Sequence, residues 1–121
     1  MSTNQHEKFI KRCIELAQEA LDAGDNPFGA VVVKDNRIIA MRNAKKALGT
    51  PDLSGCTLYS NCEPCPMCSF MAREQKLEAV VFALRAPHMG GYSRWDILQD
   101  QGLARYEPVY TFPPNVVTGV L

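Results

Sequence analysis

The chain has 121 residues, 46% hydrophobic and 21% charged, with 13 basic and 13 acidic side chains. That length suits one domain with a real core, and the balanced charge gives no global pull toward nucleic acid or a membrane surface. No apolar run approaches the roughly 18 residues of a membrane span and no charged-then-apolar leader opens the chain, so the expectation is a cytoplasmic protein with no membrane partner.

Phe9, Cys13, Leu16, Ala17, Ala20 and Leu21 recur at helical spacing, and Gly24 is a natural stop. After the turn Asp25-Asn26-Pro27, the valine-rich run from Phe28 to Val33 reads as a buried strand. Asp35-Asn36 suits a two-residue hairpin turn, with Arg37 to Ala40 or Met41 returning as the second strand. Ala44, Lys45, Lys46, Ala47 and Leu48 then favour a helix that Asn43 could cap and Gly49 ends. Almost no connection is left between that strand and this helix, although such loops usually need about 2–6 residues. The helix itself spans barely two turns, so something that normally fills this place is missing.

Thr50 to Gly55 is loop chemistry, and Cys56 to Ser60 is a short strand. A second major helix is expected from about Pro64 to Lys76, with Met67, Phe70 and Met71 on its apolar side. Ala79 to Leu84 is a continuous apolar strand, followed by a loop whose Gly90-Gly91 makes positive φ cheap. Trp95, Ile97 and Leu98 suggest a short helix, and Val109-Tyr110 and Val116 to Leu121 are β-prone. The apolar ending Gly119-Val120-Leu121 suggests truncation. This order implies a layered α/β domain with a mixed sheet between helices. The first strand pair is antiparallel through its hairpin, and later strands joined through helices are parallel.

The chemistry concentrates in Ser60-Asn61-Cys62-Glu63-Pro64-Cys65-Pro66-Met67-Cys68. A Cys-x-x-Cys spacing can turn two sulfurs toward one ion. Pro64 and Pro66 suit a helix start, where the dipole favours the thiolate that binds metal. Five cysteines, three of them in this cluster, fit a metal or redox site in a reducing compartment better than a disulfide framework. No His-x-Glu occurs, and His6 and His88 are the only histidines.

Zinc-dependent base deaminases carry His-x-Glu followed by Pro-Cys-x-x-Cys. The strings Asn26-Pro27-Phe28-Gly29-Ala30-Val31-Val32-Val33, Gly55-Cys56-Thr57-Leu58-Tyr59-Ser60 and Cys62 to Cys68 resemble the cytidine/deoxycytidylate deaminase superfamily, within it the branch of bacterial guanine deaminases and tRNA adenosine deaminases. The resemblance runs from the first helix to the C-terminus. It implies a three-layer α/β/α cytidine-deaminase-like fold with about five strands, zinc as cofactor and hydrolytic deamination of guanine, cytidine or adenosine. It also implies Cys65 and Cys68 as metal ligands, and Phe28 and Gly29 as the wall of the base pocket. A nucleobase or nucleoside would be the small-molecule partner, a homo- or heterodimer the assembly and tRNA a weaker alternative.

The departure falls between Ile38-Ile39-Ala40 and Met41-Arg42-Asn43-Ala44-Lys45-Lys46-Ala47-Leu48-Gly49, which resembles the rear of the family's second helix. Its front and the preceding loop are missing, near residues 40–43. With them go the histidine ligand, the glutamate proton shuttle and a base contact. The chain therefore reads as one deaminase-like domain with an internal deletion, no catalytic residue and impaired chemistry. Two rival readings stand beside it: a non-catalytic partner of an intact deaminase, and a dithiol redox protein using Cys65 and Cys68.

The neighbouring residues have plainer readings. Cys62 is expected at a strand end facing away from the pair, and Glu63 to order its turn. His88 is expected at a surface or pocket rim, and His6 in solvent. The basic side chains Lys34, Arg37, Arg42, Lys45 and Lys46 read as a solvated face, and Tyr92 and Trp95 as packing residues.

Overall fold

Alternating burial along the strands divides the molecule into two cores. The computed structural model describes residues 3–42, 53–106 and 113–120. Its elements, in order, are α1 (Thr3–Asp22), β1 (Ala30–Lys34), β2 (Arg37–Arg42), β3 (Thr57–Cys62), α2 (Pro66–Glu74), β4 (Ala79–Leu84), a 3-10 helix (Gln101–Tyr106) and β5 (Asn115–Thr118). The five strands form one sheet in the order β2-β1-β3-β4-β5. β1 is antiparallel to β2 and β3, whereas β3, β4 and β5 run parallel. The result is the three-layer α/β/α arrangement with a mixed sheet. No helix of the described residues is long and apolar enough to cross a membrane.

Successive strand residues point to opposite faces. Val31, Val33, Tyr59 and Val81 therefore meet Phe9, Ile10 and Cys13 of α1. Ala30, Val32, Leu58, Val80 and Phe82 meet Cys68 and Ala72 of α2. The hairpin between β1 and β2 turns at Asp35 and Asn36, both at positive φ, as a tight two-residue turn requires. A bulge between Val32 and Val33 absorbs Ile39.

Tertiary packing moves several expected features. The first strand starts at Ala30, leaving Phe28 outside the sheet and 51% exposed. α2 is shorter than expected, and it buries Cys68, Ser69, Ala72 and Arg73, whereas Met67 and Phe70 face outward. Met71 alone of the expected apolar trio packs against the core.

No helix forms at Trp95, Ile97 and Leu98, where the chain instead makes turns. The cause is Arg73, 2% exposed at the end of α2. Its Nη1 donates to the carbonyls of Ile97 (2.8 Å) and Asp100 (2.9 Å), so they are engaged from outside the segment. The Ile97 and Leu98 N–H groups go back to the Gly91 carbonyl. Trp95 is half-exposed, with Arg94 over its ring, while Tyr92 packs edge-on against Phe82 as a core residue should.

His6 is not solvent-facing as expected. Its Nδ1 lies 2.8 Å from the Tyr59 hydroxyl, beside Phe9. Burial, then the N-terminal charge, lowers the His6 pKa. Burial, aided by Cys13, pushes Tyr59 up to about 12. The helix expected at 44–48, the strand expected at Val109-Tyr110 and residues 43–52 generally lie outside the described residues.

Phe82 of β4 is fully buried, with the Tyr92 ring edge-on against it. Phe82→Ala is expected to lower unfolding free energy by about 3–5 kcal/mol, measured by urea denaturation.

Candidate metal and substrate site

Three backbone N–H groups and one hydroxyl converge on a single carboxylate at the C-terminal end of β3. Glu63 Oε2 accepts from the N–H groups of Ser93 (2.8 Å) and Tyr92 (3.1 Å). Oε1 accepts from the Ala86 N–H (3.2 Å) and from the Ser93 hydroxyl. Glu63 N–H in turn donates to the Leu84 carbonyl at 2.8 Å, tying the end of β3 to that of β4. Burial alone would raise the pKa of Glu63, but these bonds from Ser93, Ala86 and Tyr92 outweigh it and hold the carboxyl below its ordinary value. Glu63 orders its surroundings, as its position in the motif implied.

Gly90 and Gly91 serve this clamp by their size. Neither has positive φ. A Cβ on Gly90 would strike the Glu63 carboxylate, and one on Gly91 would strike Ser69. The Gly91 N–H also reaches the Pro64 carbonyl at 2.9 Å. The segment 86–93 is thus stitched over the start of α2.

Cys65 is the N-cap of α2, in extended conformation with φ −68° and ψ 170°, and its side chain makes no capping hydrogen bond. Pro66 opens the helix, where a missing N–H is harmless. Cys68 follows one turn later. An N-cap side chain lies over the third helical residue, so both cysteines sit at the helix start. Cys65 is exposed and Cys68 is buried.

A second clamp holds the proposed pocket wall. Asn61 Oδ1 accepts the Gly29 N–H at 3.0 Å, its Nδ2 donates to the Pro27 carbonyl at 3.0 Å and its own N–H donates to the Gly29 carbonyl at 3.2 Å. Gly29 fits against α1 so closely that a Cβ would strike the Cys13 carbonyl and the Ala17 nitrogen. Phe28 and Gly29 therefore reach the same end of the sheet as Cys65. Neither Asn61 nor Arg73 stood out in the sequence, because an isolated amide or guanidinium has no periodicity to mark it.

Among the described residues, the donors beside the thiols do not complete a zinc centre. Zinc takes four ligands, at least three from protein in catalytic centres. All five cysteines and both histidines lie in described segments, yet among the described residues no three His, Cys, Asp or Glu side chains gather around one point. Cys13 is in the α1 core and Cys56 precedes the opposite end of β3. Cys62, the last residue of β3, is half-buried. Burial pushes its thiol up, the Glu63 N–H opposes that and the Glu63 charge adds to it. His88 is exposed in the 86–93 segment.

A family model described as the cytidine and deoxycytidylate deaminase zinc-binding region matches residues 37–84. Guanine deaminase of Bacillus subtilis is 40% identical over 99 residues, covering 64% of each chain. The chain thus spans 64% of that relative's length. The tRNA-specific adenosine deaminase of the same organism is 34% identical over 139 residues, covering 97% of this chain and 81% of the relative. Among solved structures, Bacillus subtilis guanine deaminase superposes with a TM-score of 0.61 at 38% identity, over 66% of this chain and 64% of its own. A chain from a structural study of A-to-I editing by tRNA:A34 deaminases superposes with a TM-score of 0.74 over 93% of this chain and 97% of its own, at 22% identity, a likeness of fold.

Because Glu63 titrates below the ordinary 4.5 in the fold, its bonds stabilise the protein above that pH, and this contribution fades as pH falls through the lowered value. Glu63→Gln is expected to cost about 1–3 kcal/mol at neutral pH and to flatten the acid side of the stability–pH curve. Asn61→Ala strands the buried Gly29 N–H and should cost about 1–3 kcal/mol, read as faster amide exchange at Gly29 with little change in exchange across β4.

Proposed function

Because the chain belongs to the cytidine and deoxycytidylate deaminase family, we propose that it keeps the deaminase fold but has lost hydrolytic deamination. The ancestral reaction replaces a ring amino group with oxygen from water and releases ammonia. Its relatives are named for guanine and for tRNA adenosine, and guanine, cytidine or adenosine are the substrates an intact version would take. A nucleobase or nucleoside is the ligand that family membership suggests for Phe28 and Gly29, which lie at the same end of the sheet as Cys65. A tRNA has weaker support, since the formal net charge is zero.

The carrying observation is the donor count. Cys65 and Cys68 are present, with no histidine ligand and no glutamate two residues beyond it. Zinc held by this chemistry would acidify a bound water, a service that rests on three protein ligands with the fourth position left to the water. Glu63 does not replace the proton shuttle, because its carboxylate is occupied by Ser93, Ala86 and Tyr92.

The alignments support an internal gap. The match to the adenosine deaminase runs over 139 positions, more than the 121 residues of this chain, so at least 18 positions have no residue here. The match to the guanine deaminase takes in 64% of the chain, about 77 residues, over 99 positions, which leaves about 22 unmatched. Near residues 40–43, just where β2 ends, is the place at which the sequence lacks a connector.

A second reading is a non-catalytic partner of an intact deaminase. Met67, Phe70, Leu84, Met89 and Trp95 are all exposed, and apolar side chains of this size favour a homo- or heterodimer. Co-purification with a chain bearing His-x-Glu would support it.

The direct test is ammonia release from guanine, cytidine and adenosine, with metal content determined on the same sample. No turnover is expected, a deficit of at least about 10²–10⁴-fold from loss of the acid–base group alone. Release at ordinary enzyme rates would overturn the proposal.

A further inference from the structure

The end of the sheet away from the thiols holds a cavity that deaminase chemistry does not use. It measures about 240 Å³ and is lined, among the described residues, by His6, Thr57, Glu78, Ala79, Asn115 and Val117. The geometry points to this cavity as a binding site for a small organic amine, held as its primary ammonium ion. The site is independent of the proposed function, because Thr57 opens β3 whereas Cys65 follows its far end, roughly 17 Å of strand away.

The topology builds the cavity. β3, β4 and β5 run parallel, and their registers set Thr57 beside Ala79 and Ala79 beside Asn115, so the three strand starts come to one level. Alternation puts Thr57 on the face of Tyr59 and Asn115 on the face of Val117, which is the face that α1 covers. His6, near the start of α1, overhangs this corner with its Nδ1 2.8 Å from the Tyr59 hydroxyl. The Glu78 N–H donates to the Cys56 carbonyl at 2.9 Å, and the Asn115 N–H to the Glu78 carbonyl at 3.0 Å. These backbone bonds fix the corner and leave the side chains to meet a ligand.

Those side chains have open hydrogen-bonding capacity. Thr57 is only 6% exposed, yet among the described residues its hydroxyl has no hydrogen-bond partner, and neither has the Glu78 carboxylate or the Asn115 side-chain amide. A buried hydroxyl in this state gains from a ligand that bonds it. The charge balance chooses that ligand. Burial, then the N-terminal charge, holds His6 below its ordinary 6.5, so it is uncharged at pH 7 and Glu78 supplies the one full charge among the described lining residues. The positive end of α1 amounts to about half a charge, less than the whole charge of a carboxylate. An alkylammonium has three N–H donors, which match a carboxylate, a hydroxyl and an amide carbonyl. Ala79 and Val117 offer methyl groups to its alkyl chain. The volume lies below the roughly 300–1,000 Å³ of sites for drug-sized ligands, which limits the amine to a short chain.

The full chain, labelled with nitrogen-15, can be titrated with n-butylammonium chloride at constant ionic strength and followed by amide NMR. The expected result is saturable shifts confined to His6, Thr57, Glu78, Ala79, Asn115 and Val117, with Cys65 and Cys68 unmoved. Butanol has the chain without the charge, and tetramethylammonium has the charge without N–H donors; each should bind at least about tenfold more weakly, as the loss of a charge-assisted hydrogen bond implies. Glu78→Gln, at an exposed position, should weaken butylammonium by a similar factor. Thr57→Val should weaken it too while leaving folding stability unchanged or higher, since the hydroxyl bonds no described residue. Glu15→Gln, which only breaks the exposed pair with Arg12, should leave affinity unchanged. Shifts that never saturate or that spread over the surface would overturn the site, as would equal binding of tetramethylammonium. The same shifts with magnesium chloride would assign the cavity to a metal ion and overturn the amine. Tighter binding of N-acetyl-lysine methylamide would assign it to a lysine side chain of a partner and overturn the free amine. Failure to bind butylammonium leaves the loss of deamination standing, and ammonia release from a nucleobase leaves this site standing.

Discussion

The Glu63 carboxylate, held by donors from Ser93, Tyr92 and Ala86, joins three elements that would otherwise end independently. It sits after the last residue of β3, two residues before the N-cap of α2, and gathers the chain that follows β4. A buried carboxylate with several hydrogen bonds is stable only while all its partners stay in place. The start of α2 therefore has one position relative to the sheet, and Cys65 and Cys68 inherit it. Gly90 and Gly91 allow the approach because no other residue leaves room for the carboxylate and for Ser69.

The same economy appears on the other side of the strand end. Asn61 uses a side-chain carbonyl, a side-chain amide and its own backbone to hold Pro27 and Gly29. Arg73 uses one guanidinium nitrogen to hold the carbonyls of Ile97 and Asp100. In each case a polar side chain replaces the regular ladder that a loop lacks, and satisfies backbone groups that burial would otherwise penalise. The scaffold around the thiols is thus well built even though the donor set is short. The hydrogen bonds described for the Glu63, Asn61 and Arg73 clamps involve neither cysteine of the pair, so different bonds carry the scaffold and the thiol site.

Much of the architecture could be read in advance because it rests on repeating patterns. The valine-rich runs of β1 and β4, the helical spacing of Phe9, Cys13 and Ala17, and the Asp35-Asn36 turn each express a local rule. The errors share a cause. Phe28, Met67, Phe70 and Trp95 are large and apolar, so they read as core, yet the sheet ran out of surface to cover them. His6 read as solvent-facing because nothing local announces Tyr59, which lies 53 positions away. Trp95, Ile97 and Leu98 have helical spacing, but Arg73 and Gly91 engage their segment first.

What the amino-acid sequence determined by itself was the inventory: two thiols in a Cys-x-x-Cys, two histidines, no His-x-Glu and the strand and helix periods that place the thiols at a helix start. Inventory is local and needs no coordinates. Only the tertiary structure decided which side chains meet: that Glu63 is consumed by the 86–93 segment, that Asn61 grips Gly29 and that no third donor among the described residues joins Cys65 and Cys68. Those outcomes depend on contacts between residues tens of positions apart, and no local pattern encodes the distance between them.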